Sequence, residues 1–186
     1  MKVYIIHRWD GTPKSDWYSW LKKELEKKGF EVIIPKMPNT SKPKIELWAS
    51  YLNKIIKNTN EEIYLIGHSI GCQAIMRYLA GLSTNIKIKK VIFVSGWFNL
   101  KNLEDEETEE IAKSWVETPI DFNKIKNKAK DITVFLSDND QFVNLKENKG
   151  FFKKNLNAKI IVESNKGHFT KDDGITKIPE VLEMIK

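Results

Sequence analysis

The chain has 186 residues, 41% hydrophobic and 30% charged, with 31 lysines and arginines against 25 aspartates and glutamates for a formal net charge of +6. This is the composition of one folded globular domain spanning residues 1–186; it excludes a disordered chain, and no apolar run reaches the roughly 18–20 residues that cross a bilayer. The positive charge is carried by lysines interleaved with glutamates, as in Lys22-Lys23-Glu24, with Arg8 and Arg77 the only arginines. A solvated surface accounts for it, and nucleic acid is not expected as a partner, because bidentate phosphate and base contacts favour arginine.

In chain order, Val3–Ile6 predicts a short buried strand, and the segment around it has no small-residue cleavage site, so a cytoplasmic protein is expected. Asp16 to Lys28 reads as a helix stopped by Gly29 in a left-handed cap, and Phe30 to Ile34 as a second strand ended by Pro35. Pro43 to Lys57 carries Ile45, Trp48, Ala49, Leu52, Ile55 and Ile56 at helical spacing. Ile63-Tyr64-Leu65-Ile66 is a third strand, followed by a helical stretch through Cys72–Leu79. Strands at Lys90–Ser95 and Ile132–Ser137, a helix at Leu145–Asn155, a strand at Ala158–Glu163 and a final helix from Ile178 complete the series. Apolar strands alternating with helices predict a three-layer α/β/α sandwich around a mainly parallel sheet of about six strands. One segment, at about 96–131, breaks the rhythm with the acidic run Glu104–Glu110 followed by Trp115, Pro119 and Phe122. It predicts a cap-like excursion over the C-terminal edge of the sheet, with the charged residues on a solvated helix face.

The third strand runs directly into Gly67-His68-Ser69-Ile70-Gly71. That is the G-x-S-x-G pattern of a strand-to-helix turn that raises a serine hydroxyl above a parallel sheet; its glycines are required because the turn is too tight for side chains. Such a serine needs a base and an orienting carboxylate, arriving in the order serine, acid, histidine on loops after successive strands. Of the three histidines, His168 lies just after the sixth strand and is the candidate base. Two aspartates compete after the fifth strand: Asp140, preferred for its D-x-x-V spacing to Val143, and Asp138, which is placed to brace the turn. The oxyanion of an attacked acyl carbonyl needs two preorganised donors. The backbone N–H of Ile70 is one candidate and that of Trp9, in the loop after the first strand, the other. His7 and His68 are expected to be structural. The single cysteine, Cys72, excludes an intramolecular disulfide and reads as a packing residue; neither a metal nor a cofactor is expected.

Tyr4-Ile5-Ile6-His7 followed by Trp9, then Asp16-Trp17-Tyr18-Ser19-Trp20-Leu21, the Gly67–Gly71 elbow, Asp140 and Gly167-His168-Phe169 together resemble the small serine hydrolases related to retinoblastoma-binding protein 9. The resemblance covers nearly the whole chain. It implies a compact α/β-hydrolase fold and Ser69, Asp140 and His168 as a catalytic triad acting on a small-molecule acyl substrate. Members of that family often carry His-Gly-x in the first loop, where this chain has Arg8; Arg8 either points to solvent or meets an anionic substrate. Trp9 and Trp97 follow strands at the same edge and are candidates for lining an acyl pocket. The expected activity is cleavage of an ester, thioester or amide through an acyl-enzyme. The alternative is a protein-binding module that kept the fold, so a protein partner stays open.

Overall fold

The computed structural model describes residues 1–56, 61–83, 86–103 and 105–186. Six strands, β1 (Lys2–Ile6), β2 (Glu31–Ile33), β3 (Glu62–His68), β4 (Lys87–Val94), β5 (Ile132–Ser137) and β6 (Lys159–Glu163), form one sheet in the order β2-β1-β3-β4-β5-β6. Every neighbouring pair is parallel. The helices are α1 (Tyr18–Lys27), α2 (Ile45–Ile55), α3 (Ile70–Gly81), α4 (Glu106–Glu117), α5 (Phe122–Lys128), α6 (Leu145–Leu156) and α7 (Pro179–Glu183). No helix among the described residues is long and apolar enough to cross a membrane.

Period-two alternation in the central strands builds a separate core on each face of the sheet. Val3 and Ile5, Tyr64 and Ile66, and Ile92 and Val94 pack with Trp17, Leu21 and Val181 of the α1–α7 side. Tyr4 and Ile6, Ile63 and Leu65, and Val91 and Phe93 pack with Trp48, Ile75 and Phe152 of the layer formed by α2, α3, α5 and α6. Because the central strands are buried on both faces, they read as continuous apolar runs. β4 begins three residues before the predicted Lys90. Its first half alternates exposed and half-buried residues and joins β3 through an irregularity at Ile63/Tyr64, so that half carries no apolar run to recognise.

The ends of the elements follow local chemistry. Gly29, at φ +85°, closes α1 as predicted, with its N–H donating to Glu26 O and that of Phe30 to Leu25 O. Asp105, Asp121 and Asn144 cap α4, α5 and α6 by accepting from backbone N–H groups of the first turn. α2 ends at Ile55; Lys57, the predicted end, lies outside the described residues. The excursion forms α4 and α5, with Glu106, Glu107, Glu109 and Glu110 exposed and Ala112 and Trp115 buried. Arg77 of α3 holds α4 from beneath: its guanidinium donates to the carbonyls of Trp115 and Thr118 and lies 5.6 Å from the Trp115 ring centroid. Trp115 Nε1 in turn donates to Pro43 O at 3.0 Å.

Candidate active site

Parallel strands bring their C-terminal ends to one edge, with Ile6 level with Gly67, His68 with Val94 and Ser137 with Glu163. The loops beyond those ends form the site. At the β3–α3 turn Ser69 has φ +53° and ψ −120°, a strained backbone that the surrounding packing holds in place. Two contacts explain its flanking glycines. A Cβ on Gly71 would lie 2.3 Å from Ile6 O, and one on Gly67 would lie 2.7 Å from the backbone nitrogen of Cys72. The turn therefore fits against β1 and its own helix only without side chains at those positions.

Asp140 and His168 are both buried at the same edge, and His168 Nδ1 donates to Asp140 Oδ2 at 2.8 Å. Asp140 Oδ1 accepts from the N–H groups of Phe142 and Val143 at 2.9 and 3.1 Å. Burial alone would push this carboxyl up; the His168 hydrogen bond and charge and the two backbone N–H groups outweigh it and hold the group below the usual carboxylate range. Asp138 does not reach the histidine. Its carboxylate accepts from Asn165 N at 2.8 Å, fastening the β5 loop to the loop that carries His168. With Nδ1–H committed to Asp140, Nε2 of the neutral His168 ring is the nitrogen free to accept a proton.

Ser69 Oγ lies elsewhere in its hydrogen-bonding. It accepts from Trp97 Nε1 at 3.3 Å, and among the described residues no hydrogen bond joins it to His168 Nε2. Catalytic hydrogen bonds are often long in ligand-free enzymes and tighten when substrate binds. Trp97 is fully buried and meets the serine from below, while Trp9 is half-buried with its indole N–H on Ser41 O at 2.9 Å. Of the two tryptophans, Trp9 lines the cavity at the site and Trp97 does not.

That cavity has a volume of about 560 Å³, and Ser69, His168, Arg8, Trp9 and Phe142 are in its wall. Leu100, Leu103 and Thr108 of the excursion close another side of it. Ile70 opens α3, where the first N–H groups have no intrahelical acceptor. Neither the Trp9 nor the Ile70 N–H donates to another described residue. Arg8 lines the cavity, but its guanidinium is committed: Nε donates to Asp16 Oδ2 at 2.8 Å and Nη1 to Trp9 O at 3.0 Å. Its charge is thus matched within the protein.

His7 and His68 are both fully buried and hydrogen-bonded at both ring nitrogens. His7 Nδ1 donates to Arg8 O at 2.8 Å, and its Nε2 accepts from Met37 N at 3.1 Å. His68 lies between Tyr18 Oη and His168 O. Cys72 packs under the turn with Sγ donating to Val94 O at 3.5 Å, and burial pushes its thiol up. No group of three or more histidine, cysteine, aspartate or glutamate side chains among the described residues is arranged to hold a metal ion.

Sequence patterning did not single out two side chains that shape the His168 loop. Asp173 Oδ2 accepts from the N–H groups of His168 and Thr170 and from the Thr170 hydroxyl, at 2.9, 3.0 and 2.6 Å. A Cβ on Gly167, at φ +54°, would lie 2.1 Å from that carboxylate, so Asp173 is also why Gly167 has no side chain. Asn139 Oδ1 accepts from Ser137 Oγ and Gly167 N at 2.7 and 2.8 Å. The spacing Thr170-x-x-Asp173 is the local signal, a side-chain turn closed on its own backbone.

The chain is similar to known hydrolases along nearly its whole length. YdeN of Bacillus subtilis is 32% identical over 184 residues, covering 99% of this chain and 94% of YdeN. Its crystal structure superposes with a TM-score of 0.86 over 99% of this chain and 96% of that one. The serine hydrolase RBBP9 of Rattus norvegicus is 29% identical over 171 residues, covering 91% of this chain and 84% of the relative. Est1E of Butyrivibrio proteoclasticus, solved with ferulic acid bound, shares the fold at a TM-score of 0.75 and 16% identity, over 100% of this chain and 86% of Est1E. Residues 3–186 match the family described as serine hydrolase, and the chain, an α/β-hydrolase in architecture, belongs to that family.

Proposed function

We propose that this protein is a carboxylesterase-like serine hydrolase that cleaves a small ester, thioester or amide through Ser69, His168 and Asp140. The observation that carries the reading is the 2.8 Å hydrogen bond from His168 Nδ1 to a buried Asp140, at the wall of a cavity that also holds the elbow serine.

In the reaction the Ser69 hydroxyl turns to His168 Nε2, gives up its proton and attacks the acyl carbon. The carbonyl oxygen takes the negative charge, and the N–H groups of Ile70 and Trp9 are the donors assigned to it, each worth on the order of 3–4 kcal/mol of barrier. Asp140 holds the imidazole tautomer and stabilises the imidazolium. His168 then passes the proton to the leaving group, and water releases the acyl group by the same steps in reverse. The half-apolar wall from Leu100, Leu103 and Phe142 suits an uncharged acyl or alkyl group. Arg8, neutralised by Asp16, is assigned no role in binding anions. The single buried thiol of Cys72 fits a reducing compartment, and the cytoplasm is the setting we assign.

Labelling with a fluorophosphonate probe tests the reading. Wild type is expected to label at Ser69, and Ser69→Ala and His168→Ala to remain unlabelled while folded. Absence of labelling in folded wild type would overturn it in favour of a binding module on a hydrolase fold.

A further inference from the structure

The Asp16-Trp17-Tyr18 segment is conspicuous in the sequence, yet none of its residues lies in the cavity wall. We propose that Asp16 and Tyr18 are positioning residues that clamp the oxyanion loop (7–11) and the base loop (166–173) onto the elbow. The proposal rests on the serine-hydrolase reading above.

Asp16 is the last residue but one before α1, and it is held out of the helix at φ +51° with its side chain 1% exposed. Its two carboxylate oxygens go to two different loops. Oδ2 accepts from Arg8 Nε at 2.8 Å, and Oδ1 accepts from the backbone N–H of Lys171 at 2.9 Å. One buried carboxylate thus ties the loop after β1 to the loop after β6. Arg8 carries the tie onward through its Nη1 bond to Trp9 O, the residue whose N–H is assigned to the oxyanion.

Tyr18 makes a second bridge between the same loops through the elbow. Its hydroxyl accepts from Arg8 N at 3.1 Å and contacts His68 Nδ1 at 2.6 Å, while His68 Nε2 contacts His168 O at 2.8 Å. The donor directions follow from the ends of this chain. The His168 carbonyl can only accept, so His68 Nε2 carries the proton; Nδ1 of the neutral ring then accepts, and the Tyr18 hydroxyl donates to it. Every hydrogen bond in the path then runs in one direction, from the Arg8 N–H through Tyr18 and His68 to the backbone of the base. The His168 ring is held by Asp140 and its peptide by Asp173 and His68, which leaves the imidazole little freedom of position. A displacement of about 1 Å in such a constellation costs on the order of 10²-fold in rate.

The test is Tyr18→Phe in the full chain, which removes one oxygen from a fully buried site. Turnover of an activated acetate ester, counted per fluorophosphonate-reactive serine, is expected to fall about 10- to 100-fold in kcat with KM within about threefold. Nitrogen NMR of the histidines is expected to show His68 as the Nε2–H tautomer in wild type, with the hydrogen-bonded Nδ1 signal lost in the variant. Amide exchange at residues 167–171 is expected to accelerate. Asp16→Asn supplies a second variant, with the same residues exchanging faster and a smaller fall in kcat. An unchanged kcat per reactive site with unchanged exchange at 167–171, whatever the loss of thermal stability, would overturn the clamp. If wild-type Ser69 does not react with the probe, the hydrolase reading fails separately; faster exchange in both loops would then support the clamp, and unchanged exchange would overturn it.

Discussion

Trp97 donates its indole N–H to Ser69 Oγ at 3.3 Å from a fully buried ring, and among the described residues this is the hydrogen bond that the candidate nucleophile makes through its side chain. That bond fills one acceptor site of the oxygen and leaves the hydroxyl proton free to be given to His168 Nε2. By engaging an Oγ lone pair the N–H lowers the electron density available for attack, and a net hydrogen bond of about 0.5–1.5 kcal/mol corresponds to roughly 2- to 12-fold in a rate. Trp97→Phe removes the donor and keeps an aromatic ring. Its second-order rate of fluorophosphonate labelling is expected to rise within that range; a slower rate would mean that the indole supports the nucleophile instead of restraining it.

Asp140 and Asp138 lie two residues apart but face different partners, and their amide variants separate the two environments. In Asp140→Asn the side-chain amide can present a donor to His168 Nδ1, which favours the wrong tautomer; kcat is expected to fall on the order of 10³- to 10⁴-fold. Asp138→Asn loosens the ties to Asn165 and Ser164 and is expected to stay within about threefold of wild type. Steady-state kinetics on both variants decides the assignment, and equal losses would count against Asp140 as the orienting acid.

The buried histidines set how stability depends on pH. Burial first, and then the neighbouring His168 ring, push His68 down to about 3 against the opposing pull of Asp16; burial also lowers His7. In the unfolded chain an imidazole returns to about 6.5. Above that value neither state binds the proton and nothing is lost. As the pH falls from about 6.5 toward about 3, the unfolded chain takes up a proton that folded His68 refuses, so stability declines by up to about 1.4 kcal/mol per pH unit. Urea unfolding at about pH 7.5 and about pH 5 is expected to show this decline, with a shallower slope in His68→Gln. The same slope in both proteins would remove His68 from the account.

Gly71 has no room for a methyl group. Its Cβ would meet Ile6 O at 2.3 Å and His7 O at 2.9 Å, both backbone atoms that cannot move without shifting β1. Gly71→Ala is expected to cost about 2–3 kcal/mol or more in chemical denaturation. At Gly81, at the other end of the same helix, no described atom beyond its chain neighbours and its own helix backbone lies within 4 Å of such a Cβ. Gly81→Ala is expected to be neutral or stabilising by up to about 1 kcal/mol. A Gly71→Ala protein as stable as wild type would show that the elbow and β1 are less tightly packed than these distances require.

The architecture was legible in the sequence because its signals are local. Apolar runs such as Val3–Ile6 and Val91–Val94 report strands buried on both faces, and Gly29 and the Gly67–Gly71 spacing report backbone that only particular residues accept. Where burial is one-sided, as in the first half of β4, the signal fades and the strand extends beyond its apolar part. The candidate nucleophile, acid and base could be named from chain order for the same reason: in a parallel sheet the loops after the strands all arrive at one edge.

What the sequence determined by itself was which segments become strands and helices and which turns tolerate no side chain. Those choices depend on neighbours within a few residues. Tertiary structure alone decided the Trp97–Ser69 contact, the neutralisation of Arg8 by Asp16, the line from Tyr18 through His68 to His168, and the partners of Asp138 and Asp140. Each of these depends on where a side chain's polar atom comes to lie after loops from distant parts of the chain have packed, and a directional hydrogen bond a few ångströms long leaves no periodicity in the sequence to announce it.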